Sequence, residues 1–184
     1  KEVEDLLREV EKSSEKVREL IERSIRELER ILEKVAEEIR RSIEELEKIL
    51  ERVAEVAKRR DRELVKRIIE EVLERVDRVN KENEEIIRKV AKEVDDVNDR
   101  NRKIVTENKK ELERVLREIR NLPVDEKIVK RVEDEIRRLM KKSDELLERS
   151  TKVVEDIKRE LEKLLETSSR MAEDIKRKLE ELRR

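Results

Sequence analysis

Apolar residues return along most of the chain with a period of 18. The clearest copy runs over 24–59, where SIRELERILEKVAEEIRR is followed directly by SIEELEKILERVAEVAKR. At about 3.6 residues per turn, each unit makes a whole number of helical turns, so the apolar stripe returns to the same side of the helix. A seven-residue repeat would impose a left-handed supercoil and an eleven-residue repeat a right-handed one. The pattern therefore predicts long, nearly untwisted α-helices.

The apolar stripe is wide. At about 100° per residue, its members in the first copy fall within an arc of roughly 140°. These members are Ile25, Leu28, Ile31, Leu32, Val35, Ala36 and Ile39. Such an arc suits a helix that packs against two neighbours, whereas a two-stranded coiled coil would show a narrower seam. We therefore predict a helical bundle.

The first interruption of the stripe is the segment KRRDR at 58–62. It places charge at 60 and 61, where the period requires apolar residues, and the stripe then resumes out of phase. Asp61 has a side chain that is favoured at helix N-caps. We predict a tight turn near 59–61.

The second interruption is NLPVD at 121–125. Asn121 can close a helix in the left-handed conformation, Pro123 cannot continue one, and Asp125 can cap the next. Three helices of nearly equal length result, each roughly 85–90 Å long at 1.5 Å per residue. Their predicted bounds are about 1–59, 62–121 and 124–184.

Short connections require neighbouring helices to run antiparallel. The predicted fold class is therefore all-α, a single-chain up-down-up three-helix bundle. We expect residues 1–184 to form one domain.

Asparagine and serine residues interrupt the stripes at matching heights. In an antiparallel pair, residues at one height have numbers with a constant sum, displaced slightly because side chains lean toward the helix N-terminus. Ser42 with Asn83 and Ser24 with Asn101 both give 125, and three Asn–Ser pairs between the second and third helices all give 251. The predicted polar layers are Ser42–Asn83–Ser168, Ser24–Asn101–Ser150 and Ser14–Asn108–Ser143, although Ser14 with Asn108 gives only 122.

These layers predict a role in helix pairing. A buried amide or hydroxyl without a partner costs about 1–3 kcal/mol, and one Asn with two Ser can satisfy most of its own donors and acceptors. A displaced register would bury Asn against Leu or Ile, so the layers oppose slippage and swapped pairing. Two alternatives stay open, namely a wetter boundary position for these residues and a pocket for a polar small molecule.

Composition argues against chemistry. The chain is 56% charged and contains no Gly, Cys, His, Phe, Tyr or Trp. The usual groups for acid–base catalysis, nucleophilic attack, metal ligation and phosphate cradling are therefore missing. Glu135 is the exceptional carboxylate in a stripe, and we expect it at a solvated edge. We expect no enzyme activity, no catalytic residue, no cofactor and no metal site.

Charge and hydropathy bear on partners and location. The balance of 51 basic and 52 acidic residues creates no field to attract nucleic acid or anionic lipid. No run approaches the roughly 20 apolar residues that span a bilayer, and KEVEDLLREV is not a signal peptide. Missing aromatics and mixed-charge polar faces also disfavour lipid-surface binding. We expect a soluble chain without targeting signal, native compartment, nucleic acid or membrane partner.

The repeats SIxELExILEKVAE and LLExSxxxxEDIKRxLE, with their uniform Glu/Lys/Arg surfaces, resemble a known class across the whole chain. This class is the de novo designed, parametrically generated straight three-helix bundles with an 18-residue repeat. The Ser/Asn layers resemble the buried hydrogen-bond networks of such designs. The resemblance implies a rigid scaffold that is monomeric and requires no partner. An alternative is an interaction or switch module that pairs with partner helices, as a designed homo-oligomer, heteromer or cage.

Overall fold

The computed structural model describes residues 2–59 and 61–184 and places nearly all of them in three α-helices. Helix α1 spans Glu2–Arg59, α2 spans Arg62–Arg120 and α3 spans Glu126–Arg183. Within these two ranges the chain contains no β-strand. The all-α prediction with three long helices is confirmed.

The first connection lies where the stripe breaks. Asp61 occupies the N-cap position of α2, because its carbonyl oxygen accepts the hydrogen bond from the Val65 amide at 3.1 Å. Arg60, which belongs to the predicted turn at 59–61, lies outside the described residues. Helix α1 thus ends at Arg59, as the charge pattern predicted.

The second connection differs from the prediction at Asn121. No described residue has a positive φ, so Asn121 does not close α2 in the left-handed conformation. Its amide instead bonds two carbonyls of the preceding turn, at 3.2 and 3.3 Å, and the Leu122 amide bonds the Ile119 carbonyl at 3.1 Å. The Val124 amide then bonds the Leu122 carbonyl at 2.8 Å across Pro123. The chain leaves α2 through a tightened last turn because Pro123 disfavours helical geometry at the residue before it.

Helix α3 begins at Glu126, two residues later than about 124. Asp125 caps it, since its carbonyl accepts the amides of Ile128 and Val129 at 3.0 and 3.2 Å. Its carboxylate Oδ1 also accepts the Lys127 amide at 3.4 Å. A side-chain oxygen in this position satisfies an amide that has no partner within the helix, as predicted from the sequence.

The chain divides into two compact units, each built from parts of all three helices. The first unit comprises Lys1–Glu29 with Val94–Asp156, and the second comprises Arg30–Glu93 with Ile157–Arg184. The prediction of a single domain stays a prediction.

In the first unit, buried side chains of the three helices form two apolar clusters. As the α1 positions in these clusters rise, the α2 positions fall and the α3 positions rise, so α2 runs antiparallel to α1 and α3 runs parallel to it. One cluster comprises Val3, Val10, Leu112, Val115, Ile119, Val132, Ile136 and Leu139. The other comprises Val17, Ile21, Ile25 and Val105, with Ile104, Leu146, Leu147 and Val153 packed against it.

The second unit has the same arrangement of helices, which again bury an apolar cluster. Its members are Leu46, Val53, Val65, Ile69, Val76, Ala172, Ile175 and Leu179. Each fully buried side chain of this size stabilises the fold by about 1.5–3 kcal/mol relative to exposure. The up-down-up order of the predicted bundle is thus present in each unit.

Candidate functional site

The buried polar side chains of the described chain are amides and hydroxyls rather than charged groups. They lie on α2 and α3, within or beside otherwise apolar stripes. These residues are Asn83, Asn98, Asn101, Asn108, Ser143, Ser150 and Ser168. Because a buried polar group must be paired to avoid a penalty, their partners decide what the site can do.

The Asn101 layer lies in the first unit and joins all three helices. The Asn101 amide nitrogen Nδ2 donates to Ser24 Oγ on α1 and to Ser150 Oγ on α3, at 2.9 Å in each case. The Ser24 hydroxyl lies within hydrogen-bond distance of two acceptors, Asn101 Oδ1 at 3.2 Å and the Ile21 carbonyl at 2.8 Å. The structure therefore brings together the three residues predicted for this layer.

A fourth residue, Asn98, extends the Asn101 layer. The Ser150 hydroxyl donates to Asn98 Oδ1 at 3.0 Å, and both side chains are buried. The layers predicted from the sequence do not include Asn98. The available signal was its spacing, because residues three apart on a helix are neighbours on one face.

The Asn83 layer repeats this pattern in the second unit, with every member 18 residues away from its counterpart. Asn83 Nδ2 donates to Ser42 Oγ at 2.9 Å and to Ser168 Oγ at 3.3 Å. The Ser42 hydroxyl reaches Asn83 Oδ1 at 3.3 Å and the Ile39 carbonyl at 2.8 Å. The Ser168 hydroxyl reaches Asn80 Oδ1 at 3.5 Å, so Asn80 has the place that Asn98 has in the first unit.

The Asn108 layer differs from the prediction on α1. Asn108 Nδ2 donates to Ser143 Oγ at 3.0 Å, and its Oδ1 accepts the Ser13 hydroxyl at 3.4 Å. Ser14 does not join this layer, and its buried Oγ has no hydrogen-bond partner. The reason is the direction of the side chain around α1. Ser13 precedes Ser24 by 11 residues, close to a whole number of turns, whereas Ser14 is turned about 100° from Ser13.

The Asn108 layer separates the two apolar clusters of the first unit. On one side lie Val10, Leu112 and Leu139, and on the other lie Val17, Val105 and Leu146. A shift of α2 by one helical turn would therefore move the Asn108 amide from its hydroxyl partners into an apolar environment. The placement makes this layer sensitive to register.

A groove of about 480 Å³ lies over part of the Asn108 layer in the first unit, between α1 and α3. Ser14 and Ser143 lie among its lining residues, together with charged side chains of both helices. One of these, Glu15, bonds Arg18, and this hydrogen bond lowers the pKa of the Glu15 carboxyl. The groove thus has a mixed-charge rim that is typical of a solvated helix surface.

Glu135 lies at the edge of α3, partly buried, with its side chain 27% exposed. Its carboxylate accepts a hydrogen bond from the Arg138 guanidinium, and this bond lowers the pKa of the Glu135 carboxyl. Burial acts in the opposite direction but has the smaller effect. A partner on the same helix thus favours the charged form of this carboxyl.

The described residues contain no group of three or more His, Cys, Asp or Glu that could hold a metal ion. In the same part of the chain, none of the helices combines the length and apolar content needed to cross a membrane. The amides and hydroxyls of the layers neither gain nor lose protons at neutral pH. Their hydrogen bonds join side chains of different helices.

The fold and the layers together define a class, the three-helix bundle with buried amide–hydroxyl hydrogen bonds. No family model matches the chain, and no curated protein matches it. Among solved structures, it is similar to one described as "Computationally designed three helix bundle", with 18% identity over 99% of this chain and 84% of that chain, and a TM-score of 0.45.

Proposed function

We propose that this chain is a structural scaffold of the designed helical-bundle kind, and that its Asn–Ser layers determine which helix faces pack together and at what height. The observation that carries the proposal is the bridging asparagine. In two layers, a single amide of α2 donates to a hydroxyl on α1 and to another on α3. One side chain thereby couples the positions of all three helices.

Energetics support a role in specificity more than in raw stability. A neutral hydrogen bond contributes about 0.5–1.5 kcal/mol net, because the same groups bond water in the unfolded chain. A displaced register leaves each buried polar group unpaired at a cost of about 1–3 kcal/mol. The layers therefore penalise wrong arrangements more strongly than they stabilise the right one.

Burial of the apolar stripes supports a chain that needs no partner. Large side chains from each helix, including Ile21, Ile69 and Leu179, are fully buried by the chain itself. The large apolar side chains that are exposed, Leu20, Leu64 and Ile128, are each about 40% exposed and well separated in sequence. Scattered apolar residues of this kind are normal on a protein surface. The scaffold proposal therefore includes a monomer without catalytic, cofactor-binding or nucleic-acid-binding residues.

Light scattering coupled to size exclusion, with circular dichroism on the same samples, tests this proposal. A scaffold of this kind elutes with a mass of 22.4 kDa and keeps the same helicity over about a hundredfold dilution. A larger mass, or helicity that falls on dilution, would contradict the proposal. Either result would favour a module that pairs with partner helices.

A further inference from the structure

Asn98 and Asn80 lie to one side of the centre of the α2 stripe. Each precedes the central asparagine of its layer, Asn101 or Asn83, by three residues, which turns it about 60° around the helix. The Asn101 amide contacts hydroxyls on both α1 and α3, whereas Asn98 Oδ1 accepts a hydrogen bond from Ser150 on α3. The offset asparagine therefore bonds α3, whereas the central asparagine bonds both α1 and α3.

Ion pairs identify the same edge of α2. In the first unit, Lys109 Nζ lies 3.0 Å from Asp144 Oδ1 on α3. At about 100° per residue, Lys109 is turned about 80° from Asn101, to the side on which the offset asparagine lies. In the second unit, Asp77 on α2 pairs with Lys176 on α3 at 2.9 Å. Helix α3 thus packs against the edge of α2 that carries the offset asparagine in each unit.

Three helices that run up, down and up can close with α3 on either side of the α1–α2 pair. We call this choice the hand of the bundle. Both hands bury the same apolar stripes, so hydrophobic burial alone discriminates weakly between them. On α1, Ser24 lies on the edge that faces α2, while Glu22 pairs at 3.7 Å with Arg149 of α3. In the opposite hand, the edge of α1 that carries Ser24 would face α3, and the edge that carries Glu22 would face α2.

We infer that Asn98 and Asn80 are the residues that select the hand of the bundle. In the opposite hand, the edge of α2 that carries Asn98 would face α1 on the side of Ile25, which is apolar and about 100° from Ser24. The Asn98 amide would then be buried without its hydroxyl partner, and the Ser150 hydroxyl would lose its acceptor. This inference rests on the proposed function, because it names the part of the layers that chooses between two otherwise similar scaffolds.

Disulfide trapping measures the hand directly, because the chain contains no cysteine of its own. Lys109→Cys with Asp144→Cys replaces an observed α2–α3 ion pair and reports the native hand. Lys109→Cys with Arg18→Cys reports the opposite hand. In that hand, α3 no longer lies between the edge of α2 that carries Lys109 and the edge of α1 that carries Arg18. Each pair is equilibrated in a glutathione redox buffer, so that the fraction of disulfide reflects the population of the arrangement. Circular dichroism confirms that each chain is helical.

In the otherwise unchanged chain, the native-hand disulfide should form and the opposite-hand disulfide should not. In the Asn80→Leu/Asn98→Leu background, the ratio of opposite-hand to native-hand disulfide should rise about tenfold or more. The matched control is Asn83→Leu/Asn101→Leu, which removes two central asparagines from the same helix and should leave the ratio low. A ratio that stays low in the first background, or rises equally in both, would overturn the inference.

A second pair of substitutions tests the inference if the Asn80→Leu/Asn98→Leu chain does not fold. Ser150→Ala with Ser168→Ala removes the hydroxyls that bond the offset asparagines and keeps both amides, so the ratio should rise here as well. Unchanged trapping in this background contradicts a choice of hand through these bonds. Failure of the scaffold proposal would show differently, as disulfide-linked dimers of the cysteine variants or as a larger mass of the parent chain.

Discussion

Replacement of Asn101 by Leu tests the energetic role that we assign to the layers. The change removes two hydrogen bonds of 2.9 Å, from Asn101 Nδ2 to Ser24 and to Ser150, and with them one of the two acceptors of the Ser24 hydroxyl, Asn101 Oδ1 at 3.2 Å. Both hydroxyls keep an acceptor, because Ser24 still reaches the Ile21 carbonyl at 2.8 Å and Ser150 still reaches Asn98 at 3.0 Å. The variant is therefore left with no hydroxyl donor stranded in the core.

The magnitude follows from two opposing contributions. Two neutral hydrogen bonds are worth about 1–3 kcal/mol together, and burial of a leucine side chain contributes about 1.5–3 kcal/mol. The free energy of unfolding should thus stay within about 1–2 kcal/mol of the parent, with an equal or higher value favoured. For a chain of this length, each kcal/mol moves Tm by about 2–4 °C. We expect a Tm that is unchanged or raised by a few degrees.

Thermal and urea unfolding followed by circular dichroism measure the stability of Asn101→Leu, and native-state hydrogen exchange measures the uniqueness of its packing. Exchange should become faster in the Asn101 layer, since alternative registers lose their penalty. The control is Val105→Asn, which buries an amide among Ile21 and Leu146 and should cost about 3–5 kcal/mol. If Asn101→Leu unfolds the protein outright, the layer is a source of stability and our interpretation is wrong.

Three further predictions concern single side chains. Ser14→Ala removes a buried hydroxyl without a partner and should raise the free energy of unfolding by about 1 kcal/mol, whereas Ser13→Ala should lower it by about as much; urea unfolding compares the two. Asp125→Ala removes the side-chain cap of α3 and should lower the free energy of unfolding by about 0.5–2 kcal/mol, with the largest loss of amide protection in the first turn of α3. The pKa of Glu135 is lowered in the folded chain by its hydrogen bond to Arg138, so its contribution to stability is complete at neutral pH and is lost as pH falls through that depressed pKa. Unfolding curves of the parent and Glu135→Gln should therefore converge in acid, and curves that stay equally separated at all pH values would contradict the assignment.

The three helices follow from the sequence because one physical property, the 18-residue return of the apolar stripe, governs most of the chain. The two connections were also readable, since Pro123 cannot continue a helix and Asp61 and Asp125 are of a type favoured at helix N-caps. Asn121 was not readable in the same way. An asparagine can end a helix in the left-handed conformation or through a tightened last turn, and the choice depends on how the following proline directs the chain.

The polar layers show where height alone is too little information. The constant sum of residue numbers correctly placed Asn101 and Asn83 at the height of the hydroxyls that they contact. Residues 18 apart on a helix also point in the same direction, so a layer that fits at one position fits again at the next. The same rule chose Ser14 over Ser13, although only Ser13 points toward α2. The direction of the side chain around the helix also matters for Asn98. This residue contacts Ser150 because it is turned about 60° from Asn101 around α2. The second acceptor of Ser24, a carbonyl of its own helix, depends on the rotamer and has no sequence signature.

The members of the Asn83 and Asn101 layers are separated by 18 residues on each helix. Eighteen residues advance a helix by about 27 Å, so one further 18-residue repeat would lengthen a helix by that distance and place another polar side chain on the same face. The Asn108 layer has no copy 18 residues away, since the equivalent α2 position is Val90. The Asn108 layer therefore breaks the 18-residue periodicity of the polar layers.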